Sequence, residues 1–308
     1  MSYNARRVNT LIAIFVRVIV PVMVTVAVGY AAARLLVFDL KVLARVGLYI
    51  LVPCLTFTAM ARTTLAAGEF GLIVAFTVIS VPLLWAISAI AVRLLRLPPP
   101  EAGAFHISVL FTNAVNFGFP VLLLAYGPAA LERGIVYAMT AQIVMQSLGV
   151  YMAARGRADF GSAVKRTWSM PGLHAMILGI LVRVLGIRVP APLFDPLKLI
   201  GDSLVPFLLL VLGMQLAAVN LRGHWRAASV ASFLRLVVAA ALSFGLARGL
   251  GLQGLTRQTL ILENSMPSAI LGVALAQEFD TAPELITKVV FLTTLAGLFT
   301  LAVLLILV

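Results

Sequence analysis

Apolar residues fall in blocks of about 20, the length a helix needs to cross the hydrocarbon core of a bilayer, separated by short polar or basic connections. In chain order the blocks predict ten spans: Val18–Val37, Val42–Met60, Phe70–Leu95, Gly103–Tyr126, Gly134–Ala154, Pro171–Ile187, Leu197–Val219, Arg226–Leu250, Gln258–Gln277 and Leu285–Val308. A polar start, Met1 to Asn9, precedes the first, with no small-residue cleavage site of a removable signal peptide. The fold class predicted is an all-α polytopic membrane protein.

Two blocks carry polar residues and proline where a spanning helix should be most apolar. Phe111 to Pro120 reads FTNAVNFGFP, with Asn113, Asn116, Gly118 and Pro120; Glu263 to Ala269 reads ENSMPSA, with Ser265 and Pro267. Proline has no N–H and its ring clashes with the carbonyl four residues back, so a break is expected between Asn116 and Pro120 and another at Pro267. Lipid cannot satisfy the freed groups, so each break must face protein or a water-filled cavity. Two interrupted spans in corresponding positions of two halves point to a transporter's binding site.

The halves resemble each other. Pro21 and Gly29 match Pro171 and Gly179, LVPCL at Leu51–Leu55 matches LVPFL at Leu204–Leu208, and Pro120 matches Pro267. These pairs lie in the same order at offsets of 150, 153 and 147 residues, as expected of a duplicated five-helix unit. Five is odd, so the second copy enters from the opposite face. The expected architecture is a 5+5 inverted repeat with broken helices 4 and 9 crossing: residues 1–154, a short cytoplasmic connection 155–170, and residues 171–308.

Composition agrees. The chain is 62% hydrophobic and 11% charged, with mean hydropathy +1.09, more apolar surface than a soluble protein of 308 residues could hide. The net charge of +12 sits mostly between the apolar blocks, where Lys and Arg set topology, so nucleic acid is no expected partner. Connections after odd-numbered spans carry 12 Lys and Arg and the other side 9, with Arg17 and Arg235 set aside as lying within spans. The bias places both termini outside the cell (inner) membrane. One cysteine, Cys54, excludes an intrachain disulfide and a Cys-based metal cluster.

The candidate chemistry follows from the breaks. Half-helix ends in the membrane carry roughly +0.5 and −0.5 of a charge, suited to a carboxylate and to a cation. Asn113, Asn116, Gly118, Pro120, Ser265 and Pro267 are the candidate substrate contacts; Asn113 and Asn116, three apart, are expected on one face of a helical turn. Interhelical hydrogen bonding is the competing use of both asparagines. Glu263 must be paired, protonated or ion-bound, since a mid-membrane charge costs at least about 2.5–3.5 kcal/mol. Sodium held by Glu263 with Asn113 or Thr140, a proton on Glu263, and an ion pair with Arg235 are the three readings. No other cofactor is implied. Arg17 and Arg235 have snorkelling to the interface as their other reading. Thr140, Gln142 and Gln146 read mainly as interhelical contacts, Asp202 as a second buried acid or an interfacial one, and His106, His174 and His224 as interfacial. No HExxH, GxSxG or Walker sequence suggests an enzyme.

LVPCL in span 2, NAVNFGFP followed by LAYG in span 4, and ENSMPSAILGVALAQEFD in span 9 are similar to the auxin efflux carrier family, including its bacterial organic-acid permeases, from end to end of the chain. The resemblance implies ten helices, a fold similar to sodium/proton antiporters and bile-acid sodium symporters, and a crossover at spans 4 and 9. It further implies a scaffold of spans 1, 2, 6 and 7 beside a moving core of spans 3–5 and 8–10. Plant members carry a long hydrophilic loop between the repeats, which is short here. ENSM is also similar, more distantly, to the glutamate-containing sodium site of the bile-acid symporters. The expected function is alternating-access, elevator-like transport of small organic anions, carboxylates above all, coupled to sodium or protons. The rival is a channel or a receptor for a small ligand. Expected partners are the anion, the lipid bilayer and a second copy of the chain.

Overall fold

The computed structural model describes residues 15–153, 165, 168–217, 225–278 and 281–308. The polar N-terminus, most of the 155–170 connection, His224 and the Gln146 side chain lie outside the described residues. The described chain is helical, its only strand-like pairing a single isolated bridge between Thr112 and Ser268. The helices are α1 Phe15–Leu35, α2 Leu40–Ala61, α3 Ala67–Leu95, α4 Pro99–Leu110, α5 Ala114–Tyr126, α6 Pro128–Ala153, α7 Pro171–Val184, α8 Ala191–Ala217, α9 Trp225–Gly249, α10 Gly254–Asn264, α11 Leu271–Glu278 and α12 Pro283–Leu307. Six of these, α1, α2, α3, α8, α9 and α12, are long and apolar enough to cross a membrane by length and composition.

Proline starts several of them. α4, α7, α8 and α12 carry Pro in the first turn, where a missing N–H is no loss because that turn has no helical acceptor for it. Asp39 caps α2, its carboxylate accepting from the N–H groups of Lys41 and Val42. Large apolar side chains such as Val24, Val28, Tyr49, Leu178, Val184 and Leu199 are exposed. On helices of this length that outer belt suits hydrocarbon rather than water.

Packing is densest in two sets. α1 lies along the second half of α8, and α7 along the second half of α2. Both pairs approach so closely that no β-carbon fits: one added at Gly29 would strike the Leu210 carbonyl, and one at Gly179 would lie 2.8 Å from the Phe57 carbonyl oxygen. Small residues let helix backbones touch where lipid supplies no hydrophobic drive to associate. In the other set α3 packs on α6 and α4, α9 and α11 pack on α12, and α10 lies between α6 and the second half of α9. A second apolar core joins the sets, with Ile19 and Val22 of α1 and Leu209 and Leu212 of α8 meeting Phe117, Val121 and Leu122 of α5.

Candidate functional site

α4 stops at Leu110 and α10 at Asn264, and the chain after each is irregular: Phe111 to Asn113 on one side, Ser265 to Ile270 on the other. The two stretches run antiparallel and hold each other. Asn113 N–H donates to the Pro267 carbonyl at 2.8 Å, and Ala269 N–H donates to the Phe111 carbonyl at 2.7 Å. Each stretch thus supplies the main-chain partners that an uninterrupted helix would have supplied internally, as a water-poor interior demands. Ser268 N–H is taken by Thr293 Oγ1 of α12 at 3.1 Å, and Thr112 Oγ1 donates to the Glu263 carbonyl at 3.0 Å.

The position of the first irregular stretch corrects the expectation from Pro120. Asn116 and Pro120 both lie within α5, Asn116 in the wider turns Ala114–Gly118 and Pro120 in the first α-turn after them. The wider, π-type hydrogen bonding of Ala114–Gly118 leads into the turn that holds the proline, so α5 continues through Pro120 and the gap lies before Ala114. Asn113 precedes α5 as its N-cap, so Asn113 and Asn116 do not share a face of one regular helical turn.

Behind the paired stretches lies a polar cluster. Arg235 of α9 is fully buried and donates from Nη1 to the Val109 carbonyl at 2.8 Å and from Nη2 to the Asn264 carbonyl. It therefore does not snorkel. Asn264 accepts from the Tyr137 hydroxyl at 2.9 Å and donates to Ser243 Oγ at 2.8 Å, so one asparagine joins α6, α9 and α10. Tyr137 and Ser243 carried no mark in the sequence, since an aromatic and a serine in apolar runs read as packing.

Glu263, one residue earlier, is completely buried, and neither carboxylate oxygen has a hydrogen-bond partner. No salt bridge or hydrogen bond joins it to Arg235 among the described residues, so the ion-pair reading is not what the structure holds. The carboxylate rests on two glycines. A β-carbon on Gly118 would lie 2.5 Å from Oε2, and one on Gly134 2.9 Å from Oε1. A buried acid without a partner is a group that takes a proton or a cation. The orphaned oxygens and the glycine cradle fit such an ion.

The other candidates fall as follows. Asn113 is buried with Nδ2 unpaired, and Ser268 beside it is buried with Oγ unpaired. Asn116 is half-buried. Ser265 donates to the Ile261 carbonyl at 2.6 Å and Thr140 to the Val136 carbonyl at 2.8 Å, so both hydroxyls are spent on carbonyls one turn back. No hydrogen bond links Thr140 to Glu263 among the described residues. Gln142 is half-buried, Arg17 is exposed, and Asp202 is an exposed partner of Lys198. His174 packs edge-on to Trp168, whereas His106 is half-buried with Nδ1 2.6 Å from Ser88 Oγ rather than interfacial.

One polar cluster at helix ends was not anticipated. Arg133 pairs with Glu69 at 3.0 Å, and Thr256 accepts from Arg133 and donates to Glu69, tying the starts of α3, α6 and α10. Next to it, Glu132 accepts from Thr63 Oγ1 at 2.8 Å, joining α6 to the end of α2, while Arg183 of α7 donates to the Thr63 carbonyl.

Apolar helices of spanning length around a crossing of irregular main chain, with a buried acid beside it, define a membrane transporter. Two curated relatives agree. An uncharacterized transporter of Methanothermobacter thermautotrophicus is 27% identical over 285 residues, 91% of this chain and 94% of its own. Another, of Methanocaldococcus jannaschii, is 26% identical over 214 residues, 68% of this chain and 70% of its own. The profile described as "Membrane transport protein" matches residues 14–159 and 155–305, and the chain belongs to that family, the auxin efflux carriers. It is an integral membrane protein that transports rather than an enzyme.

Proposed function

We propose that this chain is a secondary transporter of small organic anions, carboxylates above all, working by alternating access. The observation that carries the reading is the crossing itself: two irregular stretches tied by reciprocal main-chain bonds, with the unpaired donors Asn113 Nδ2 and Ser268 Oγ buried beside them. Unpaired donors in a sheltered place suit an oxyanion. Asn113, Asn116, Gly118, Pro120, Ser265 and Pro267 surround that place as substrate contacts or as its main-chain frame, and Glu263 beside it takes the coupling ion.

In this reading α4 with α5, and α10 with α11, are each one interrupted span, which makes ten spans in two inverted units of five. Support comes from reciprocal packing: α1 of the first unit lies against α8 of the second as α7 of the second lies against α2 of the first. Gly29 and Gly179, matched in sequence, make corresponding close approaches. The set α1, α2, α7 and α8 then serves as scaffold, and the remaining helices as a core that carries the crossing past it.

The test is uptake and counterflow of a panel of mono- and dicarboxylates in proteoliposomes, with sodium and pH gradients imposed separately. Saturable uptake and counterflow of at least one carboxylate are expected. Non-saturating flux with conductance and no counterflow would mean a channel and overturn the proposal. Glu263→Gln, which keeps shape and removes charge, should lose gradient-driven accumulation while keeping exchange. Loss of sodium dependence identifies sodium as the coupling ion, and loss of pH dependence identifies a proton.

A further inference from the structure

We infer that Arg235 is the resident cation of the crossing: its guanidinium occupies the C-terminal carbonyls of α4 and α10 and leaves the Glu263 carboxylate free for a coupling ion. The bonding of Arg235 carries this inference; only its consequence for coupling rests on the transport reading.

Val109 and Asn264 are the penultimate residue of α4 and the last of α10. Their carbonyls belong to the group that a helix leaves without internal partners, at ends carrying about −0.5 of a charge each. Two such ends converging in a dry interior amount to roughly one negative charge with no counterion. Half-helix C-termini of this kind are where transporters bind metal cations. Here a guanidinium is already present. Its planar fork reaches both carbonyls at once, which one ammonium or one amide could not do in the same geometry.

The local backbone agrees with a placed residue. Arg235 lies in the stretch Leu234–Val238, where α9 widens from α-type to π-type hydrogen bonding. Such bulges are frequent at functional sites. Among the described residues, elements packed against it bring the ionisable groups Tyr137 of α6 and Glu263 of α10 beside it. Tyr137 spends its hydroxyl proton on Asn264 Oδ1, and Glu263 makes no bond to the guanidinium. The charge of Arg235 is therefore answered by main-chain dipoles. The carboxylate, instead of being locked in an ion pair, keeps both oxygens open on its glycine cradle.

Thermal unfolding of the purified protein in detergent tests this without any substrate. Arg235→Ala should melt several degrees below wild type. Guanidinium chloride at sub-denaturing concentration should restore much of the loss in that variant and none in wild type. Arg235→Lys keeps the charge and Arg235→Met keeps the bulk, so lysine should stay folded at a higher melting temperature than methionine. Rescue no greater than in wild type, or methionine as stable as lysine, would overturn the inference. If alanine does not yield folded protein, the lysine–methionine comparison still decides. Should no carboxylate be transported while these shifts appear, the transport reading fails and the resident cation stands.

Discussion

Asn113 shows how one side chain separates a site from a scaffold. Its main-chain N–H helps hold the crossing, but its Nδ2 has no partner. Interhelical bonding therefore does not account for the amide, and Asn113→Ala should change thermal stability by no more than about 0.5 kcal/mol, or even raise it. Loss of a hydrogen bond to a carboxylate, about 1.5–3 kcal/mol, should weaken substrate binding roughly tenfold to a hundredfold. Counterflow affinity measured beside the melting temperature checks both halves. Gly118 and Gly134 behave oppositely, because a methyl on either would overlap the Glu263 carboxylate. Gly118→Ala and Gly134→Ala should each cost about 1–3 kcal/mol of stability, in line with overpacking elsewhere, and should disturb the gradient dependence of transport. Alanine at both positions with wild-type melting and coupling would show that Glu263 is free to move out of its cradle.

Between the helices, Pro120 and the main-chain bonds that tie the irregular stretches have different standing. Pro120 lies inside α5, which runs unbroken through it, so Pro120→Ala closes no gap and should leave transport within about twofold of wild type. Ala269→Pro removes the N–H that Phe111 accepts and should abolish transport, because that bond is one of two joining the stretches. Transport rates at matched expression distinguish the two outcomes. The same contrast explains what could be read from the chain. Apolar blocks are legible because a bilayer imposes one length and one polarity on every helix that crosses it. Proline and asparagine announce an interruption to within a few residues. Its place at Phe111–Asn113 depends on partners about 150 residues away in sequence, and no local propensity encodes them. Arg235 was visible as a charge inside an apolar run. Its carbonyl partners come from two other helices, so nothing adjacent to it distinguished a buried counterion from a snorkelling side chain.

For the molecule as a whole, the proposed elevator motion requires one seam to slide while another holds. The close-approach pairs α1–α8 and α7–α2 are poor places for sliding, and the seam between α2 and α6 is bridged by the Thr63–Glu132 hydrogen bond. With Cys54 replaced by Ala, Thr63→Cys joined to Glu132→Cys through mixed disulfides by a short bis-methanethiosulfonate should stop transport, and reduction of those disulfides should restore it. Undiminished counterflow in the cross-linked protein would exclude movement of α6 past α2. The burial of Arg235 also bears on how the chain enters the bilayer. α9 emerges before α10, with Val109 already made and Asn264 still to come. α10 itself, with Arg257, Glu263 and Asn264, is no helix of spanning length and apolarity. α9 is long and apolar enough to span but brings a cation into the lipid, and α10 brings a carboxylate. Entry as a hairpin would offset both, the end of α10 arriving to complete the guanidinium's second bond.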